Sequence, residues 1–226
     1  MASTPYDSLD VKLAAHGLIA RGGFHPTSED GLPGSPGSLV LVGNAGPAMW
    51  VAFDAARHAY AHGPNPLDAW IVDVLGNVAE TFGAAALFPF DGPPYLPFQR
   101  WARRTEPVHS SPLGMLIHPE FGLWHGYRGA LAFAERLELS LPDTQSAPCE
   151  SCVDRPCLSA CPVDAFTDDG YDVPVCVDHI TSADSGDCMA RGCAARRACP
   201  VGRKYAYEPA QAGFHMRAFA SAQSAS

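Results

Sequence analysis

The first 148 of the chain's 226 residues contain no cysteine, and all eight cysteines fall between positions 149 and 199. Sulfur chemistry is therefore confined to the C-terminal third. No run of about 18 apolar residues occurs, so no membrane-spanning helix is expected. The opening MASTPYDSLD lacks a basic start followed by an apolar stretch, which argues against a secretory signal and for a cytoplasmic protein. Basic residues number 15 against 24 acidic ones, a formal charge of −9, and no basic run marks a nucleic-acid face. The one basic cluster, Arg191, Arg196, Arg197, Arg203 and Lys204, sits among the cysteines. It is either a face that steers an acidic redox partner or a solvated surface that compensates local charge. Gly43, Gly46 and Pro47 do not make GxGxxG, and no Lys-Ser/Thr follows. A tight turn is expected there rather than a phosphate loop.

The apolar pattern ahead of the cysteines alternates between short strands and helices. Residues 9–19 read as a short helix, and residues 31–38 (GLPGSPGS) as a turn-rich link. SLVLVG, residues 38–43, is short, apolar and flanked by glycine, the pattern of a buried strand. A helix is expected from Ala48 to about Ala61. The next helix is better specified. Asn65 is an N-cap candidate, Pro66 suits the first helical position, and Asp68 favours the first turn. Leu67, Trp70, Ile71, Val74, Val78 and Phe82 recur at spacings of three and four, and Gly83 ends the helix. Residues 84–90, 113–119 and 129–139 read as strands, and 98–104 as a helical turn. PDTQSAP, residues 142–148, is a natural linker. The expected architecture is an α+β domain over residues 1–143 and a small cysteine-bearing domain over 144–226.

Eight cysteines in so short a stretch could mean disulfides. A reducing cytoplasm argues for metal instead. The first motif, CESCVDRPCLSACP, places Cys149, Cys152, Cys157 and Cys161 before Pro162; the later Cys176, Cys188, Cys193 and Cys199 precede Pro200. The ferredoxin pattern is C-x2-C-x2-C-x3-C-P, and its last cysteine serves the other of two clusters. Here the second spacing is stretched by two residues. On that logic one [4Fe–4S] cluster takes Cys149, Cys152, Cys157 and Cys199, and the other takes Cys161, Cys176, Cys188 and Cys193. The loose spacing leaves a single cluster, or zinc in a four-thiolate site, as alternatives.

The cysteine region resembles the ferredoxin domain of epoxyqueuosine reductases and of the reductive dehalogenases. In that family the cysteine of the segment matched by VCVDHIT ligates the second cluster, which implies the same for Cys176. GMLIHPEFGLWHGYRGALAF, residues 114–133, is similar to the central segment of CblC-type cobalamin-processing proteins. The shared positions are Ile117, His118, Pro119, Phe121, Gly122, Trp124, Arg128 and Gly129. This resemblance implies a nitroreductase-like first domain with a corrinoid site that includes His118, Phe121, Trp124 and Arg128. A satisfied turn histidine and ordinary core aromatics are the plainer readings of the same residues. His125 and Tyr127 share that ambiguity. The glutathione-binding arginine of CblC-type proteins has no counterpart, and neither Asp68 nor Asp91 sits in the context of the reductase general acid.

Together the two resemblances imply an iron–sulfur oxidoreductase fed by a flavodoxin- or ferredoxin-type donor, passing electrons to cobalamin for cofactor processing or a reductive step. The alternative is a ferredoxin-type electron carrier with no corrinoid, whose N-terminal domain docks a redox partner. The nitroreductase-like fold also leaves open flavin in place of corrin, and a homodimer. No membrane and no nucleic-acid partner is expected.

Overall fold

The computed structural model describes residues 5–140, 143–183 and 185–224. In chain order its elements are α1 (Pro5–Ala14), β1 (Ile19–Phe24), β2 (Ser38–Ala45), α2 (Ala48–Ala56), α3 (Pro66–Phe82), β3 (Ala84–Leu87), α4 (Phe98–Thr105), β4 (His109–Ser110), β5 (Leu116–Ile117), β6 (His125–Phe133), α5 (Pro156–Ser159), β7 (Phe166–Thr167), β8 (Gly170–Tyr171), α6 (Val173–Thr181), α7 (Cys188–Arg191), α8 (Ala194–Ala198) and α9 (Pro209–Ser224). The architecture mixes helix and strand, as an α+β chain should. No helix among the described residues is long and apolar enough to cross a membrane.

The chain divides into two compact units: Met1–Pro107 with His125–Gln145, and Val108–Trp124 with Ser146–Ser226. A boundary at 143/144 would place Val108–Trp124 in the first domain, whereas this segment groups with the second unit. The reason is apolar packing. Leu113, Ile117 and Leu123 share a buried core with Ala195 and Cys199. Leu141 and Pro142, the latter opening the expected linker, lie outside the described residues.

The first unit is built on an antiparallel sheet of order β1-β2-β6-β3. Strand β2 is buried from Ser38 to Asn44, so its apolar run SLVLVG has protein on both faces. Gly43 is required by close pairing rather than by a ligand. A Cβ there would lie 2.1 Å from the Gly126 carbonyl oxygen, beside a register shift between β2 and β6. This agrees with a backbone role for the glycine rather than a phosphate loop.

Helix α3 buries Leu67, Trp70, Ile71, Val74, Leu75, Val78 and Ala79. That is the face read from the spacing, with Leu75 and Ala79 added and Phe82 only half-buried. Gly83 closes it in the left-handed region, and its N–H reaches the carbonyls of Ala79 and Glu80. Asn65 makes no side-chain cap, and only its carbonyl joins the helix, accepting from Ala69.

The helix expected over residues 9–19 lies earlier, as α1, and Ile19 instead opens strand β1. Its sequence IARGGF has no alternation, and α1 ends at Ala14. Helix α2 also stops early, at Ala56, and passes into a 3-10 turn over Arg57–Tyr60. The strand expected over 129–139 instead begins at His125 and ends at Phe133. The strand expected over 113–119 shrinks to Leu116–Ile117. The strand expected over 84–90 is Ala84–Leu87.

Candidate functional site

The second unit places its eight cysteines, all of them unpaired thiols, mainly on short helical turns. Pro156 opens α5 and brings Cys157 into its first turn. The residue before it, Arg155, adopts the left-handed region at φ 39°. The two extra residues of the stretched spacing are taken up in this turn. Cys161 follows α5, and its Sγ accepts from the Ala165 N–H at 3.3 Å. In α6 the Asp172 side chain caps the Val175 N–H at 3.1 Å, which sets Cys176 in the first turn. Cys188 begins α7, Cys193 caps the start of α8, and Cys199 ends it.

These thiols gather in two groups. Burial pushes the Cys149 thiol up first, and the neighbouring Cys199, Cys157 and Cys152 add to it. Cys157 is raised in the same way by burial, Cys199 and Cys152. Cys199 is raised by burial and by Cys152, against a Val201 N–H and the Arg203 guanidinium. The second group is Cys161, Cys176, Cys188 and Cys193. Burial raises Cys176 above the ordinary thiol range, with Cys161 and Cys188 beside it, while a Tyr171 hydrogen bond opposes the shift. Burial likewise raises Cys193, with Cys188 and Cys176 nearby and the N–H groups of Arg196 and Ala195 opposing. Cys161, Cys176, Cys188 and Cys193 also line one largely apolar cavity of about 400 Å³.

Half-buried thiols crowded in this way resist ionisation, because each thiolate repels the others and loses water. A cationic centre reverses that balance, since a coordinating thiol is deprotonated outright. Among the described residues no three His, Cys, Asp or Glu side chains are arranged to hold a single metal ion. Four thiolates on one zinc ion stand about 4 Å apart; thiolates at the corners of an iron–sulfur cube stand wider. The donor set of each group, four sulfurs with backbone N–H groups turned toward some of them, fits a [4Fe–4S] cluster.

The four residues carried over from the CblC resemblance fall in both units. His118, Phe121 and Trp124 belong to the second, Arg128 to the first. His118 is buried in a turn. Its Nδ1 accepts from the N–H groups of Glu120 at 3.0 Å and Phe121 at 3.2 Å, and its ring stacks on Phe121. Trp124 is 4% exposed and packs edge-on against Tyr207. The Arg196 guanidinium lies 4.7 Å from the Trp124 ring and donates to the Leu123 carbonyl. Arg128 donates to Asn44 Oδ1 at 3.1 Å.

The basic cluster also divides. Arg196 is spent on these internal contacts, and Lys204 faces Glu120 at 3.4 Å. Arg191, Arg197 and Arg203 line a separate cavity of about 350 Å³.

Sequence reasoning missed a buried polar cluster in the first unit. Arg21 is fully buried and donates to both carboxylate oxygens of Glu106, at 2.6 and 2.7 Å. Tyr127 donates to the same carboxylate at 2.7 Å, and His125 Nδ1 lies 3.2 Å from the guanidinium. Burial foremost, and then Glu106, hold the Tyr127 phenol protonated far above its ordinary range, against the pull of Arg21. Tyr6 is pushed up to about 12, chiefly by burial. Nothing local in the sequence marks Arg21 as internal.

No protein-family model matches the chain, and no curated protein does either. Solved structures do. The B12-trafficking protein CblC of C. elegans, a homologue of human MMACHC, aligns with TM-score 0.57 and 16% identity over 96% of this chain and 93% of its own. An epoxyqueuosine reductase from Streptococcus thermophilus aligns with TM-score 0.52 and 14% identity over 91% of this chain and 69% of its own. A further epoxyqueuosine reductase, crystallised with a modified tRNA stem loop, aligns at 0.49 and 14% identity over 90% of this chain and 66% of its own. At these identities the first two likenesses are likenesses of fold.

Proposed function

We propose that this chain is an iron–sulfur electron-transfer protein of the cytoplasm, with a ferredoxin-like second unit and a nitroreductase-like first unit. Its second unit holds two [4Fe–4S] clusters, one on Cys149, Cys152, Cys157 and Cys199 and one on Cys161, Cys176, Cys188 and Cys193. The observation that carries this reading is the gathering of eight free thiols into two groups of four, each drawing on both halves of the motif. A cluster so held stores and passes single electrons. The chain's own residues do the rest. The Ala165 N–H, and those of Ala195, Arg196 and Val201, favour the thiolate form by hydrogen bonding. Tyr171 hydrogen-bonds Cys176, and largely apolar walls surround Cys161, Cys176, Cys188 and Cys193.

The electron acceptor in this reading is a corrinoid held by the N-terminal domain expected over residues 1–143, which makes the protein a cobalamin-dependent or cobalamin-processing oxidoreductase. It is supported by the fold likeness to a B12-trafficking protein and by the similarity of residues 114–133. His118, Phe121, Trp124 and Arg128 are each engaged inside their own unit. That observation favours a second reading, a ferredoxin-type carrier without corrinoid whose first unit docks a redox partner. The net charge of −9 supports leaving nucleic acid out of both.

Anaerobic purification followed by iron and sulfide analysis tests the common part. About eight of each per chain is expected. A colourless protein carrying zinc would refute it. Titration with hydroxocobalamin under reductant then separates the two readings. A shifted visible spectrum and co-elution on gel filtration support the corrinoid, and their absence leaves the carrier.

A further inference from the structure

We propose that the cavity walled by Arg191, Arg197 and Arg203 and floored by Trp124 and Tyr207 is the docking site for the acidic face of a one-electron donor protein. The proposal rests on the iron–sulfur reading above. Charge is the first argument. Arg191 and Arg197 share one carboxylate, Asp187, with Arg191 at 3.1 Å. Arg203 pairs with no carboxylate among the described residues. Among the residues that line the cavity, three guanidinium groups are set against one ion-pair carboxylate, Asp187, on a chain whose formal charge is −9. A positive cavity on a negative protein orients an acidic partner as it approaches and raises the rate of productive encounter.

Position is the second argument. Trp124 lines this cavity and also lines the one formed by Cys161, Cys176, Cys188 and Cys193. A single indole is thus common to both walls. A donor seated here lies against the residue that also walls the cavity of Cys161, Cys176, Cys188 and Cys193. The step would balance as a one-electron transfer: the reduced donor protein would be oxidised by one electron, which a cluster held by the cysteines would accept, with no bond or proton changing place.

Size is the third argument. Redox partners meet through interfaces smaller than about 1,200 Å². A specific nucleic-acid interface is broader and is spread over many phosphates. Three arginines around one cavity of about 350 Å³ suit the smaller contact.

Arg191→Glu and Arg203→Glu, singly and together, test this. The full chain is reduced by a reduced flavodoxin in stopped flow across a range of salt. Iron content, and the extent of reduction by dithionite at equilibrium, are checked on each variant. The double variant is expected to retain iron and full reducibility. Its second-order rate with the donor should fall at least about tenfold at low salt, and the difference should vanish as salt rises. An unchanged rate, or a deficit independent of salt, would overturn the docking site while leaving the clusters in place. Absence of iron from the unsubstituted chain would instead sink the function beneath it. Tight binding of a tRNA stem loop that the same substitutions abolish would also overturn the proposal, in favour of a nucleic-acid surface.

Discussion

Among the glycines of the second unit, Gly122 and Gly202 leave the least room for a side chain, because Phe121–Gly122 runs against Val201–Gly202 just after the last cysteine. A Cβ on Gly122 would lie 2.1 Å from the Val201 carbonyl oxygen, and one on Gly202 would lie 2.3 Å from the Phe121 carbonyl. A carbon and a carbonyl oxygen normally approach to about 3.3 Å. Gly122→Ala therefore forces the two strands of chain apart by about 1 Å. It also places a side chain at φ +60°. The second effect alone costs about 1 kcal/mol. The displacement strains the reciprocal hydrogen bonds between His118 and Gly122, both 2.9 Å, and loosens the packing of Ile117 and Leu123. Together the loss should reach roughly 3 to 5 kcal/mol. Gly114 supplies the control, since it has φ +73° with nothing within 4 Å of the added Cβ. Gly114→Ala should cost about 1 kcal/mol. Anaerobic urea titrations, followed by bleaching of the visible chromophore, compare the two. Equal midpoints for Gly114→Ala and Gly122→Ala would refute the argument that backbone contact, rather than backbone conformation, fixes glycine at 122.

Interleaved ligation makes Cys149→Ala and Cys199→Ala alike in electron paramagnetic resonance, and Cys161→Ala and Cys176→Ala alike in a different way; each variant keeps about four irons. A Cys199→Ala spectrum matching Cys161→Ala would contradict the assignment. Leu75 is fully buried in the first unit, so Leu75→Ala should cost about 2 to 5 kcal/mol there without lowering iron content. The Asp30 carboxylate is nearly buried, which opposes its charge, but Arg104 and the Thr27 N–H more than offset this and hold its pKa below the ordinary range. Its stabilising share is present at neutral pH and is lost as pH falls through the depressed value. Because Arg104 is partly exposed, the share is about 1 to 2 kcal/mol, and the stability gap between the native chain and Asp30→Asn should hold from pH 7 down to the ordinary carboxylate range at about pH 4 and narrow as pH falls below it. A gap that stays constant with pH would remove the ion pair as its cause.

What could be read from sequence was local. Helix α3 was legible because its period, its Pro66 and its Gly83 all act within a turn or two of the chain. The proposed cysteine grouping rests on loop spacing, which constrains which sulfurs can meet. Strand β1 was not legible, since IARGGF buries an arginine whose partner Glu106 is far along the chain. The start of β6 was hidden for a related reason: His125, Tyr127 and Arg128 look like solvent residues, yet each is engaged inside the first unit by Arg21, Glu106 or Asn44. Asn65 had the right identity for a side-chain cap and does not make one.

The path of residues 108–124 alters what counts as the iron–sulfur module. A cut at 143/144 would release a fragment containing every cysteine, and by spacing alone that fragment should suffice. In the structure, however, Leu113, Ile117 and Leu123 are nearly fully buried against Ala195 and Cys199, with Cys149, Cys157, Cys161 and Cys193 packed around them. Each such side chain contributes about 1.5 to 3 kcal/mol by burial. Removing all three takes roughly 5 to 9 kcal/mol, as much as the whole stability of many small domains. It also deprives the Arg196 guanidinium of the Leu123 carbonyl and of the Trp124 ring. Residues 144–226 expressed alone should therefore fail to retain iron after anaerobic reconstitution, whereas the full chain retains it. A stable, brown fragment with about eight irons would show that the cysteine loops organise themselves, and that the borrowed segment is covering rather than core.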